Sequence, residues 1–268
     1  MTDLGKALVG YVQFRPDFMN VQENLTRIAS LVEGQRADLL VLPELATTGY
    51  AFPDKEALLR LAEPIPGPTT DFLSSLAAQI KGHLIAGLAE KDGEKIFNSA
   101  VLVSASGVLG RTRKSHLFLN EKDLFSPGDV GFYPADIGCL KVGMMICFDW
   151  AFPEAAGTLA RRGAQLIAHP SNLVLPHAAK AMPVRCLENR IFAITANRWG
   201  EEQSSGSALA FRGESMIIAP SGEIIACAPK DCDEIKIVSI DPHLADDKHL
   251  TPRNDLIADR RPELYGEK

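Results

Sequence analysis

No run of apolar residues in this 268-residue chain approaches the roughly 20 that a membrane-spanning helix needs. The opening Met1-Thr2-Asp3-Leu4-Gly5-Lys6 also lacks the long apolar core of a secretion signal. The expectation is a cytoplasmic protein with no membrane partner. Positive charge is not in excess either: 28 Lys and Arg stand against 34 Asp and Glu, giving a net charge of −6. The basic clusters, residues 111–114 and Arg260-Arg261, are too short to make a phosphate-binding stripe, which argues against a nucleic-acid partner. Paired Cys-x-x-Cys spacing is missing. Five cysteines, at 139, 147, 186, 227 and 232, fit reduced thiols better than a disulfide framework or a structural zinc site.

Low-complexity sequence is absent as well, and the Pro64-Ile65-Pro66-Gly67-Pro68 stretch reads as a turn leading into a helix capped by Thr69 or Thr70. The remaining composition, 46% apolar and 23% charged, is that of a globular chain with a packed core. Periodicity and punctuation predict a strand over 6–14, a helix over 20–34, a strand over 37–43, a helix over 69–82, a strand over 83–90 and a hairpin over 97–111 turning at Ser106-Gly107. The order then recurs: strand 140–147, helix 153–162, strand 164–169, helix 178–189, strand 190–198, and a hairpin over 207–228 turning at Ser221-Gly222. Each half reads β-α-β-α-β-β. Residues 37–45 also echo residues 164–173 with one residue inserted, so a pseudo-twofold is expected.

Strands that are continuously apolar are buried on both faces. Two such halves therefore imply an α/β fold in which two sheets pack face to face with helices outside, a four-layer αββα sandwich forming one domain over 1–268. The last stretch, about 242–268, carries little periodicity and is expected to lie against a partner subunit. Ser204 to Gly206 reads as a mobile loop.

Cys147 ends the apolar run Val142-Gly143-Met144-Met145-Ile146 and is followed at once by a turn and a helix start at Pro153-Glu154. Proline suits the first helical position and glutamate the positive end of the helix dipole. Three more apolar strands end on a polar group: Glu44, Lys114 and Asn172. Strand C-terminal ends are where open α/β sheets build their sites. A thiol, a carboxylate to take its proton and a cation to hold an oxyanion suffice for acyl transfer with no metal or cofactor. A thiol near pKa 8.5 is little ionised at neutral pH, and both Lys114 and a helix N-terminus are expected to favour the thiolate.

Leu42-Pro43-Glu44-Leu45 with Thr48-Gly49-Tyr50, then Arg113-Lys114-Ser115-His116-Leu117-Phe118, then Ile146-Cys147-Phe148-Asp149 with Phe152-Pro153-Glu154, resemble the nitrilase, or carbon–nitrogen hydrolase, superfamily. Phe125-Ser126-Pro127-Gly128, His169-Pro170-Ser171-Asn172, Arg185 to Arg190 and Ala196-Asn197-Arg198 extend the resemblance over nearly the whole chain. It implies Glu44 as general base, Lys114 as the group that stabilises the tetrahedral intermediate, Cys147 as nucleophile and Glu121 as a second glutamate. It implies also a homodimer or higher assembly, and a small-molecule amide or nitrile as substrate. The amidase branch, releasing ammonia from a small or medium carboxamide, is the reading adopted; nitrilase and N-carbamoyl amine or amino acid hydrolase are its neighbours.

Tyr50, Phe148, Trp150 and Asn172 adjoin these motifs and are candidate substrate contacts, although an aromatic beside a strand is more often core. Each candidate has a bland reading too: cysteine is commonly buried, a strand-end glutamate can cap a turn, and lysine is usually solvated. Their joint order outweighs these. His116 and His169 invite a Cys-His hydrolase, but the resemblance makes them structural. Arg185, Glu188 and Asn189, at helical spacing, suggest a network supporting Cys147. An inactive scaffold would lose a member of the Glu-Lys-Cys set, and all three are present. An acyl transferase would share the thioester.

Overall fold

The computed structural model describes residues 5–204 and 207–266, so Ser205 and Gly206 of the expected loop lie outside the described residues. From its start the chain runs β1 (Ala7–Gln13), α1 (Val21–Val32), β2 (Leu39–Val41), α2 (Lys55–Leu59), α3 (Pro68–Ile80), β3 (His83–Asp92), β4 (Lys95–Ser104), β5 (Gly107–Arg113) and α4 (Glu121–Leu124). It continues through β6 (Ala135–Asp136), β7 (Lys141–Met144), a 3-10 turn (Cys147–Ala151), α5 (Pro153–Arg161), β8 (Leu166–Pro170), α6 (His177–Asn189) and β9 (Phe192–Ala196). β10 (Trp199–Ser204), β11 (Ser207–Arg212), β12 (Met216–Ile218), β13 (Ile224–Cys227) and β14 (Glu234–Ile240) follow.

Two six-stranded sheets result, in the orders β14-β1-β2-β3-β4-β5 and β13-β12-β9-β8-β7-β6. β1, β2 and β3 are parallel, as are β7, β8 and β9; in each sheet the following two strands join antiparallel. The expected repeat of order is therefore present in the topology, with three sheet strands rather than two closing each half, β3-β4-β5 and β9-β12-β13. Side chains alternate across each strand. Val9, Tyr11, Leu39 and Val41 point into a core shared with Val142, Met144, Leu166, Ala168 and Ile194 of the other sheet. Leu40, Leu42, Leu84 and Ala86 face the opposite way, onto Ile28 and Val32 of α1 and Leu73, Leu76, Ala77 and Ile80 of α3. Ile167 and Ala193 do the same toward Ala155, Ala156 and Leu159 of α5 and Met182 and Cys186 of α6. Each fully buried aliphatic side chain contributes about 1.5–3 kcal/mol, so these interfaces fix the four layers and hold the strand ends rigidly.

Three departures from the expected elements stand out. The α3 helix starts at Pro68 after a Gly67 cap, and Thr70, inside its first turn, accepts the Gly67 N–H through Oγ1 at 2.8 Å; neither threonine is the cap itself. Residues 207–212 do not belong to the β12–β13 hairpin; they pair with β10 as a separate ribbon, while the turn at Ser221-Gly222 holds, with Gly222 N donating to Ala219 O. β14, which the expected elements omit, closes the first sheet by pairing with β1 more than 220 residues away. Among the described residues, no helix is long and apolar enough to cross a membrane.

Candidate active site

Glu44 lies just past β2, Lys114 just past β5, Cys147 past β7 and Asn172 past β8, so the ends of strands from both sheets meet. The echo between the halves has a physical counterpart: Asn172 Nδ2 donates to the Glu44 carbonyl at 2.9 Å, tying the two equivalent strand ends together. The close approach also explains Gly87 on β3, where any Cβ would stand 2.4 Å from the Glu44 Cα.

Lys114 Nζ donates to Glu44 Oε1 and to Glu121 Oε1, both at 2.6 Å, and all three side chains are almost wholly buried. Asn98 Nδ2 donates to Glu44 Oε1 at 2.7 Å, while its carbonyl accepts the Lys114 backbone N–H at 2.8 Å, so one residue aligns both partners. Tyr50 OH donates to Glu121 Oε1 at 2.6 Å, and Phe118 N to Glu121 Oε2 at 2.9 Å. Glu44 Oε2 is buried without a protein partner, as are the side-chain oxygens of Asn98 and Asn172, both of which hydrogen-bond to Glu44.

Cys147 takes a left-handed backbone conformation, φ 42°, that non-glycine residues seldom adopt. Its flanks are pinned. Asp149 Oδ2 accepts the Ile146 N–H at 3.0 Å, and Oδ1 accepts the backbone N–H of His116 at 3.1 Å and its ring Nδ1–H at 2.7 Å. His169 Nε2 donates to the Cys147 carbonyl at 2.8 Å; this sets its tautomer, with Nδ1 accepting from Thr195 Oγ1 at 3.0 Å. Arg185 Nε donates to the Trp150 carbonyl at 3.3 Å and its guanidinium pairs with Glu188, so the expected supporting network is there. Pro153 opens α5 with Glu154 in its first turn, as expected.

Burial raises the Cys147 thiol well above its ordinary 9.0; Glu44 and Glu121 raise it further, while Lys114 and the Asn172 backbone N–H pull it down. The resting group is therefore a neutral thiol, which corrects the expectation of a favoured thiolate: burial and two carboxylates outweigh one cation. Burial also raises the Glu44 carboxyl above 4.5, against the lowering pull of Lys114. For Lys114 burial acts downward, but the carboxylates of Glu44 and Glu121 hold the ammonium well above 10.5. A base of raised pKa beside an un-ionised thiol is arranged to move the proton during attack.

His169 is buried and neutral, its pKa lowered by burial from 6.5 to about 4. A depressed histidine pKa means that the unfolded chain binds the extra proton, so this residue costs no stability above pH 6.5 and progressively more as pH falls toward 4. We expect the His169→Asn variant to lose less stability than the wild type on acidification over that range, by up to about 3 kcal/mol. Urea midpoints measured at several pH values check this, and equal acid sensitivity of the two proteins would contradict it.

Phe118, Phe148, Trp150, Asn172, Leu173, Val174 and Leu175 line a narrow cleft at Cys147, with a cavity volume of about 20 Å³. A larger one, about 200 Å³, lies on the other side of Phe118 and Val174 and is walled by Tyr50, Ala51, Phe52, Asn120, Glu121 and Leu209 among others. All four candidate substrate contacts thus line one cleft or the other. Asn98, Asp149 and Phe118 were given no role by the sequence, because each serves partners brought close by folding. Phe118 and Asp149 stand inside the motifs quoted above; for Asn98 the available signal was Asn98-Ser99 inside an apolar strand. Among the described residues, no group of three or more His, Cys, Asp or Glu side chains is placed to hold a metal ion.

The carbon-nitrogen hydrolase family model matches residues 8–248. A nitrilase of Pyrococcus abyssi is 45% identical over 261 residues, 96% of this chain and 98% of that protein. The crystal structure of a carbon-nitrogen hydrolase from Helicobacter pylori superposes with a TM-score of 0.89 at 26% identity, covering 97% of each chain. An amidase of Nesterenkonia sp. AN1, solved with acrylamide added to its active-site cysteine, superposes with a TM-score of 0.77 at 25% identity over 96% of this chain and 98% of its own. With that match along nearly its whole length, the chain belongs to the carbon-nitrogen hydrolase family and is a nitrilase- and amidase-type enzyme.

Proposed function

We propose that this enzyme hydrolyses a small or medium carboxamide to the carboxylic acid and ammonia through a thioester on Cys147. The observation that carries the reading is the buried Lys114 bridging Glu44 and Glu121 beside a thiol that senses all three charges. Cys147 sulfur attacks the carbonyl carbon as its proton passes to Glu44; the carbonyl π pair becomes an oxyanion held by Lys114 and a backbone N–H near Phe148. Collapse breaks the C–N bond, and Glu44 gives its proton to the leaving nitrogen. Water then attacks the thioester, again losing a proton to Glu44, and the acid leaves as the thiol is restored. The unpartnered Glu44 Oε2 suits this shuttling.

The Nesterenkonia amidase supports the nucleophile assignment, because its active-site cysteine accepts a covalent adduct. Identity with the Pyrococcus nitrilase favours a second reading, nitrile hydrolysis through a thioimidate. We read the chain as one domain acting as a homodimer or larger assembly, supported by exposed Leu250, Leu264 and Tyr265 near the C-terminus. Ammonia release across matched amides, nitriles and N-carbamoyl compounds tests the reaction. Release from amides is expected; release from nitriles alone would favour the second reading, and silence throughout would overturn both.

A further inference from the structure

One wall away from Lys114, a carboxylate and a guanidinium are buried together: Arg198 is fully enclosed and Glu202 is 5% exposed. They form a close ion pair, with Arg198 Nη1 donating to Glu202 Oε1. Buried pairs are weak sources of stability, so geometry is the better account of its presence. Glu202 Oε2 accepts two backbone N–H groups, Tyr50 at 2.9 Å and Ala51 at 2.8 Å. Gly49, at φ +77°, leaves room for it, since a Cβ there would stand 2.8 Å from Glu202 Oε1. Tyr50 in turn donates its hydroxyl to Glu121 Oε1, the same oxygen that accepts Lys114 Nζ. Phe211, on the strand paired with that of Glu202, lies under the Arg198 guanidinium at 4.2 Å and meets the Tyr50 ring edge-on at 5.9 Å.

We propose that Glu202 and Arg198 are positioning residues for the catalytic cluster: Glu202 fixes the Tyr50 backbone, the Tyr50 hydroxyl fixes Glu121, and Glu121 sets the place of the Lys114 ammonium. The proposal rests on the reading of Lys114 and Cys147 as reacting partners. Without Tyr50, Glu121 keeps the Phe118 N–H but is free to turn about it, and the ammonium drifts with it. Glutamine cannot replace Glu202. One carboxylate oxygen faces a cation and the other two N–H donors, so an amide must turn its NH2 on one of them.

The test is a double-mutant cycle of Glu202→Gln and Tyr50→Phe, read both as amide turnover and as the rate of Cys147 alkylation by iodoacetamide. Each single change is expected to lower kcat and alkylation about 10- to 100-fold, with KM moved far less. The double variant is expected to lie within about 3-fold of the worse single one, because both cut the same chain. A structural role alone would leave alkylation of the folded variant unchanged or make the two effects multiply, and either result overturns the proposal. Should Glu202→Gln fail to fold, Arg198→Lys, which keeps the charge but not the fork, takes its place with the same expected non-additivity. If the wild type hydrolyses none of the amides or nitriles, the reaction assignment falls while the alkylation cycle still decides the positioning role.

Discussion

Replacing Cys147 by alanine is expected to abolish ammonia release, a loss of at least about 10⁴-fold, while the thermal transition stays within a few degrees of the wild type. The reasoning separates chemistry from fold. The thiol is a neutral, buried group of modest volume at the start of a 3-10 turn, and the turn is held by Asp149 and His169 through backbone atoms that alanine keeps. What alanine removes is the atom that forms the acyl bond, for which Glu44 and Lys114 offer no substitute. Ammonia release by the variant at even a hundredth of the wild-type rate would point to direct attack by water and end the covalent scheme.

Lys114→Met is expected to cost both activity and stability, and the two can be told apart. Loss of the oxyanion partner should lower kcat about 10²- to 10³-fold. Stability should fall by about 3–5 kcal/mol at neutral pH, because Glu44 and Glu121 are left buried with no cation between them. The sign with pH follows: the folded-state pKa of Glu44, already above 4.5 beside Lys114, rises further without it. The penalty is therefore greatest above that folded value and is relieved as pH falls through it. Adding Glu121→Gln should restore much of the stability of Lys114→Met and none of the activity. Urea titrations paired with turnover assays make the comparison; recovery of activity in the double variant would mean that Lys114 serves the fold alone.

The four layers were legible because residues 39–42 and 166–168 are apolar on both alternating faces, which only strands buried between a helix layer and a second sheet require. Glu44, Lys114 and Cys147 were legible as site candidates because each sits at an abrupt strand end, within motifs in a fixed order, and Glu121, which opens α4, only through the family resemblance. The state of the thiol was not. Sequence places one lysine and one helix start in view, but the balance turns on burial and on two carboxylates, one arriving from the end of β2 and one from the start of α4. Asn98 and Glu202 escaped for a related reason: their partners lie 54 and 151 residues away, and a lone buried polar residue inside a strand carries no periodic signal. β14 pairs with β1 across most of the chain, a distance over which local pattern is silent.

Intact-protein mass spectrometry of enzyme acid-quenched during turnover of a good amide substrate tests the thioester most directly. The covalent mechanism requires a fraction of the wild-type protein to be heavier by the mass of the acyl group less one hydrogen, on the peptide that holds Cys147, and requires the adduct to be absent from Cys147→Ala. Steady turnover with no adduct under rapid quenching, including with an acyl group whose thioester hydrolyses slowly, would contradict it.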